Sequence, residues 1–367
     1  MKVLFDHQIF TTQTFGGVSR YFVELFDQFN KMGDLDFELS ALYSINHYLI
    51  NSSMKKEFIP PVQFKGKKLL LSWINHAYSV RQLHNQQFDL FHPTYYDPYF
   101  YNKLKGKRFV LTVHDMTQEL FPDLVPVNDE TSQRKKYLVD RAERIIAVSE
   151  NTKKDLIEIW GINKDRIDVV YHGNSMVISN LNTKIPGIPE KYLLYVGSRH
   201  RYKNFFRFIR AITPFLKIHP EINLVCAGGG TFSKSELTLL HVLEIRDQVL
   251  QFNFDDSSLP LLYKNAMMFI FPSLYEGFGI PILEAFACEC PIACSNNSCL
   301  PEIASDAAVY FDPFDEDAIS WAVQELFYKA SLREDLIKRG SERLSYFSWV
   351  KAAQETKNVY DKCIEGY

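Results

Sequence analysis

The sequence lacks several features that would have assigned it a class at once. No run approaches the ~20 apolar residues that span a bilayer. No G-x-G-x-x-G fingerprint is present: neither Gly16-Gly17 nor Gly228-Gly229-Gly230 has the spacing, which argues against a nicotinamide oxidoreductase. Four of the six cysteines, Cys288, Cys290, Cys294 and Cys299, are clustered, but without a C-x2-C pair or companion histidines. Reduced thiols that pack as small apolar groups are the expectation, and no metal site. Charge of one sign is also missing: 41 Lys and Arg against 44 Asp and Glu leave a net −3, which gives no reason to expect nucleic acid as a partner. The start, MKVLFDHQIF, reaches Asp6 and His7 too soon for a secretory apolar segment, so a cytoplasmic chain is expected, soluble or peripheral at the inner face of a membrane. Internal repeats and low-complexity segments are absent.

What is present is ample apolar material, 46% of 367 residues, enough for two ordinary domains. Short apolar runs alternate with helical or loop sequence. Val3-Leu4-Phe5, Phe37–Leu42, Leu90-Phe91-His92, Phe109–Val113, Ile145–Val148 and Ile167–Tyr171 read as buried strands of one parallel sheet. A helix opened by Gly16-Gly17 carries Val18, Tyr21, Phe22, Leu25, Phe26 and Phe29 at helical spacing. Asn182–Lys191, rich in Pro and Gly, reads as a linker. A second alternation follows: Tyr192–Val196, Leu224–Ala227, Val249–Phe252, Met267–Phe271, Ile292–Cys294 and Val309–Phe311. Two such units predict a cleft at the carboxyl ends of their strands. The tail from Ser348 reads as a long amphipathic helix. Lys65–Leu83, with basic residues, leucines and Trp73, reads either as an interfacial helix on anionic lipid or as a core helix with solvated lysines. The Lys103–Arg108 run is equally open.

The most informative stretch is Phe271–Glu284, FPSLYEGFGIPILE. Glu276 and Glu284 flank a turn, Gly277-Phe278-Gly279, that runs into a helix, with Pro281 suited to its first position. A strand, a glycine turn and a helix start leave backbone N–H groups aimed at one spot, which suits an anionic or polyhydroxyl ligand. A glutamate there accepts from sugar hydroxyls and does not bind phosphate. Taken singly, Glu284 in a first helical turn and Glu276 in a loop need no ligand to explain them.

The whole string, however, resembles the E-x7-E signature of retaining, nucleotide-sugar-dependent glycosyltransferases of family 4. The match continues through AFACECPIACSNNSCLPE to Pro313. The resemblance implies a GT-B fold: two Rossmann-like domains facing a cleft, with the last helix crossing back to the first. The expected division is residues 1–181 with helix 351–367, binding acceptor, and residues 182–350, binding the nucleotide-sugar.

Other motifs take roles from the same resemblance. LLYVGSRHRYKNF places Arg199, His200, Arg201 and Lys203 after a strand, like the family's cationic element that holds the donor diphosphate. Charge builds on that diphosphate as the glycosidic bond breaks, so fixed cations stabilise the transition state. Lys203 fits as a point charge and Arg199 as a fork, with Arg201 its rival. Relatives place Arg or a small residue where this chain has Ser198. Gly16-Gly17 matches a turn whose backbone approaches the diphosphate. His114, in V-H-D, matches a residue contacting the transferred sugar or the acceptor, with Asp115 orienting it or capping a turn. Tyrosines of FHPTYYDPY stack on a sugar or simply pack.

The implied function is transfer of a sugar, with retention and without metal or cofactor, to a glycan or lipid-linked glycan in surface polysaccharide synthesis. Glu276 would hold the sugar's hydroxyls and Glu284 the ribose, with Gly277, Phe278, Gly279 and Ile280 around the donor. GGVSRY, YVGSRHRYKN and LPE look most like bacterial mannosyltransferases, so GDP-mannose is the first donor to test, with UDP-, dTDP- and other GDP-linked sugars open. A GT-B epimerase and a silent nucleotide-sugar-binding subunit are the alternatives.

Overall fold

The computed structural model describes residues 1–54, 57–58, 66–124, 129–176, 185–199, 201–255 and 258–366. Lys65, His200 and residues 182–184 of the expected linker lie outside them. The chain forms two compact units, Met1–Gly173 with Ser348–Tyr367, and Asn174–Phe347. Both divisions fall a few residues ahead of the limits read from sequence.

In the first unit, β1 (Lys2–Phe5), β2 (Asp36–Leu39), β3 (Leu90–His92), β4 (Val110–Val113), β5 (Arg144–Ala147) and β6 (Ile167–Val169) pair in parallel. The ladders β2-β1-β3 and β4-β5-β6 meet through a bridge between Phe91 and Phe109. Continuous apolar runs are what a strand covered on both faces requires, and β3, β4 and most of β5 are buried along their length. The Gly17–Met32 helix lays Phe22 and Phe26 against Phe5, and Phe29 against Phe37. The final helix, Trp349–Glu365, is capped by Ser348, whose hydroxyl accepts from Lys351 N. Its Ala352, Ala353, Val359 and Tyr360 enter the same core, which makes this helix part of the first unit. The Tyr360 hydroxyl lies 2.7 Å from His92 Nδ1. Tyr43–Ser44 and Glu57–Phe58 add a short parallel pair that no periodicity announced.

The second unit is one sheet of six parallel strands: β7 (Tyr192–Val196), β8 (Asn223–Ala227), β9 (Val249–Phe252), β10 (Met268–Phe271), β11 (Ile292–Ser295) and β12 (Val309–Phe311). Their order is β9-β8-β7-β10-β11-β12, the dinucleotide-fold order, which reverses between β7 and β10. Ligands of open parallel sheets bind where the order reverses, because crossover helices on either side leave a crevice at the strands' carboxyl ends. The expected strand positions hold throughout to within a few residues.

Candidate functional site

The reversal point of the second sheet gathers the motifs found in the sequence. The loop after β7 carries Lys203 and the loop after β10 carries Glu276. Lys203 Nζ lies 2.5 Å from Glu276 Oε1, and both side chains are mostly buried. Residues 73 positions apart thus form one charged pair, with Lys203 also over the ring of Phe271. Asn204 anchors the cationic loop: buried and left-handed, it donates through Nδ2 to Pro313 O at 2.7 Å. The Leu274 N–H donates to Tyr202 O at 2.8 Å, tying the two loops together.

The backbone of Glu276 is clamped from both sides. Its N–H donates to Ser298 Oγ at 3.1 Å, and the Cys299 thiol lies 3.2 Å from its carbonyl oxygen. All six cysteines are buried and unpaired, and burial pushes the Cys299 thiol well up, so it stays a protonated donor. Packing alone, as expected from sequence, therefore understates Cys299.

Glu284 sits on the Ile280–Ala287 helix, buried, and accepts from the Tyr263 hydroxyl at 3.1 Å. Gly279 caps that helix in left-handed conformation, and Pro281 occupies the second helical position, one later than expected. The Phe278 ring is buried edge-on against Phe347, 5.9 Å between centroids, so its side chain is engaged in packing. Gly277 is buried and Ile280 half-buried beside it.

Arg199 is differently employed from the free fork expected. Its side chain is 3% exposed, and Nε donates to Glu236 at 2.8 Å. Nη1 donates to Gly228 O at 2.9 Å, and Nη2 reaches the carbonyls of Gly229, Gly230 and Thr231 at 2.9–3.3 Å. One guanidinium therefore holds the whole turn after β8. Gly229 is required there: its φ is +72°, and a Cβ would stand 2.6 Å from Arg199 Nη1 and 2.9 Å from Gly197 O. Glu236 closes a capping box with Ser233. Burial pushes its carboxyl up, but bonds from Ser233 and Arg199 outweigh this and hold it below the ordinary range. Arg201 stands exposed in the short turn Arg201–Lys203.

In the first unit, Gly16 precedes the Gly17–Met32 helix with an extended backbone, so its conformation alone does not demand glycine. His114 follows β4, its N–H donating to the Tyr96 hydroxyl at 3.1 Å and its ring 5.2 Å from Tyr21. Burial, reinforced by Lys135 and only partly opposed by Asp115, lowers its pKa to about 4. His114 is thus neutral at pH 7 and can orient a hydroxyl but cannot neutralise a phosphate. Asp115 accepts from Thr117 N at 3.0 Å, the capping option. Lys135, fully buried, donates to Asp115 O at 2.8 Å and Glu119 at 2.9 Å, holding this loop from behind.

Comparison with known proteins follows this geometry. Residues 181–343 match the family described as glycosyl transferases group 1, and residues 15–174 match Glycosyltransferase Family 4. O-antigen chain mannosyltransferase B of Escherichia coli is 30% identical over 282 residues, 72% of this chain and 73% of that protein. O-antigen chain mannosyltransferase RfbU of Salmonella typhimurium is 28% identical, over 59% of this chain and 60% of its own length. Among solved structures, a sucrose-phosphate synthase from Thermosynechococcus elongatus superposes with a TM-score of 0.76 at 20% identity, covering 100% of this chain and 99% of that one. Anabaena Alr3699/HepE, solved with UDP and glucose, also gives 0.76, at 16% identity over 99% and 100%. At such identities the structural likeness speaks for the fold alone. With two family models matched in tandem and a relative 30% identical across most of both chains, this chain belongs to the group 1 and family 4 glycosyltransferases and has their GT-B fold.

Proposed function

We propose that the chain transfers a hexose, with mannose from GDP-mannose as the leading donor, to a glycan or lipid-linked glycan during surface polysaccharide synthesis. The observation that carries this is the Lys203–Glu276 pair at the point where the second sheet reverses. A cation and a carboxylate side by side suit a ligand that is phosphate at one end and polyhydroxyl at the other. The named activities of the two O-antigen relatives support mannose.

In this reading Lys203 takes the diphosphate and Glu276, released from Lys203, accepts from the sugar's hydroxyls. Glu284 accepts from the ribose, and the backbone of Gly277–Ile280 lines the donor. In the first unit, Gly16 and Gly17 offer backbone N–H groups to phosphate, and neutral His114 meets the sugar or acceptor. The bond from the anomeric carbon to the phosphate oxygen breaks, and the acceptor oxygen bonds to that carbon on the same face. The acceptor proton passes to the departing phosphate, and because attack is on the face the phosphate leaves, the configuration is retained. Lys203 stabilises the charge that develops, and no metal is required. Arg199 acts indirectly, by fixing the turn after β8 rather than by touching phosphate.

The Lys67–Asn85 helix supports peripheral membrane contact. Leu69 is 77% and Trp73 71% exposed, next to half-exposed Leu70, with Lys67 and Lys68 adjoining. No helix among the described residues is long and apolar enough to cross a membrane.

A thermal-shift panel of nucleoside diphosphates and nucleotide-sugars tests the donor, since a ligand stabilises by RT ln(1 + [L]/Kd). Stabilisation by GDP and GDP-mannose, followed by turnover that survives a chelator, is expected. Response to none of the panel would remove the reading. Product formed without acceptor would indicate an epimerase, and binding without turnover a silent subunit.

A further inference from the structure

The Lys103–Arg108 run forms the turn that leads into β4, and only Lys103 is helical, as the last residue of the short turn Pro98–Lys103. It is therefore not the amphipathic helical face that interfacial docking uses. A cavity of about 370 Å³ opens beside it, at the amino ends of β4 and β5. Phe109 and Glu143, the residues just before those strands, are in its lining. Parallel sheets bind their usual ligands at the carboxyl ends, where β4 leads into His114. This cavity lies at the other end of the same strand, four residues and ~13 Å away.

Lys105, Lys107, Arg108 and Arg141 line the cavity against one carboxylate, Glu143. None of the five is in an ion pair among the described residues. Part of this charge serves the fold. Lys107 donates to the carbonyls of Gln86 and Phe88, and Arg108 to those of Cys363 and Ile364 at the end of the final helix, where a cation suits the macrodipole. Carbonyls cancel no net charge, however, so four cations and one carboxylate leave the lining with an excess of three positive charges.

Two of the cations are not used in this way. The Lys105 side chain is exposed and has no hydrogen-bond partner among the described residues. Its backbone is left-handed, with φ +51°, an uncommon state for a residue with a side chain, and Gly106 follows at +86°. The Arg141 guanidinium stands 3.7 Å from the centre of the Tyr137 ring and 5.7 Å from that of Tyr101. Its Nη1 donates to Tyr137 O at 3.0 Å, while Nε and Nη2 make no hydrogen bond among the described residues. A guanidinium backed by a ring and fixed at one nitrogen presents its other edge to a bidentate acceptor.

Uncommitted cations in a concave site suit a phosphate ester. Glu143 would repel a bare phosphate but accepts from hydroxyls, and Asn102 and the Tyr101 ring, also in the lining, suit a sugar. The volume lies within the ~300–1,000 Å³ of small-molecule pockets, room for one phosphorylated ring. A lipid surface fits less well. The apolar residues of the lining, Leu104 and Phe109, are buried, and exposed Trp73 stands 12 residues, ~18 Å, ahead of the helix end at Asn85 that adjoins this turn. We propose that this cavity binds a phosphorylated monosaccharide, with Arg141 and Lys105 on the phosphate and Glu143 accepting from the ring hydroxyls. The proposal does not rest on the glycosyl-transfer reading.

The test is isothermal titration calorimetry on the full chain with hexose 1- and 6-phosphates (manno, gluco, galacto), the matching methyl hexosides and inorganic phosphate. At least one hexose phosphate should bind about tenfold or more tightly than inorganic phosphate or its hexoside. Arg141→Gln with Lys105→Gly should weaken it at least about tenfold. Both side chains are exposed and glycine accepts φ +51°, so the double variant should melt as wild type does. Glu143→Gln should narrow the preference for the hexose phosphate over inorganic phosphate. Lys203→Ala, in the second unit, should leave this binding unchanged. Binding of no hexose phosphate would overturn the proposal, as would binding lost in Lys203→Ala and kept in the double variant, which would put the ligand at the donor loop. Equal affinity for inorganic phosphate would overturn the sugar. Co-sedimentation with phosphatidylglycerol vesicles that the double variant abolishes, in a chain that binds no soluble phosphate, would make the patch a lipid contact and overturn the proposal too. Hexose phosphate bound here by a chain that answers no nucleotide-sugar would keep this site and remove the transfer reading.

Discussion

Acidification from pH 7 to pH 5 should weaken the first unit selectively. All three buried histidines among the described residues, His7, His92 and His172, belong to it. His92 is fully buried, its Nδ1 2.7 Å from the Tyr360 hydroxyl and its Nε2 2.9 Å from Thr112 Oγ1, so it joins β3 to the final helix and to β4. Burial, with a small contribution from His114, lowers its pKa to about 3. An unfolded histidine titrates near 6.5, so between the two values the unfolded chain binds more protons and stability drops as the pH is lowered. From pH 7 to 5 the loss for His92 alone is about 2 kcal/mol. His172 and His114, also lowered by burial, act in the same direction. For a unit of this size that is about 4–8 °C for His92 alone. Glu236, whose pKa is lowered, loses its contribution only below the ordinary carboxylate range, so it stays silent in this window. Calorimetry at matched ionic strength should show one transition moving down sharply and the other little. His92→Gln should start less stable at pH 7 and lose less by pH 5. Equal loss in both units, or an unchanged pH slope in His92→Gln, would refute the reasoning.

Other outcomes follow from the same geometry. Arg199→Lys replaces a fork that reaches four carbonyls with a point charge, so the second unit should lose about 1–3 kcal/mol and the donor KM should rise more than kcat falls. Wild-type melting and KM would show that the turn after β8 does not need the clamp. Gly173→Ala would drive a Cβ into Trp349 N and Ser348 C, and since backbone cannot yield as a side chain does, a loss of about 1–3 kcal/mol or more is expected by calorimetry. Leu69→Ser with Trp73→Ser should reduce co-sedimentation with anionic vesicles several-fold while leaving soluble-acceptor turnover intact; unchanged sedimentation would remove the proposed membrane face.

Much of the fold was legible because a strand buried on both faces must be a continuous apolar run. Tyr192–Val196, buried along its whole length, was bounded correctly for that reason. The two-residue strands Tyr43–Ser44 and Glu57–Phe58 are too short to show a period. Glu276 and Lys203 were found singly by motif, but their pairing depends on β7 lying beside β10, a fact of sheet order that no local pattern encodes. The contacts of Arg199 with the turn after β8 were not legible for the same reason: its partners stand 29 to 37 positions away. The Ser233-x-x-Glu236 capping box was readable, but the second use of its carboxylate was not. Asp6 and His7 carried a signal of their own, charged and polar residues directly after a buried strand.

The central claim is that Glu276 holds the transferred sugar while Lys203 and the surrounding backbone hold the nucleotide. Glu276→Ala, given GDP and then GDP-mannose with an acceptor, separates the two functions in one variant. The predicted result is a GDP-induced thermal shift close to wild type, with transfer reduced at least about a hundredfold, the scale of losing one transition-state contact. Undiminished transfer by Glu276→Ala would contradict the account.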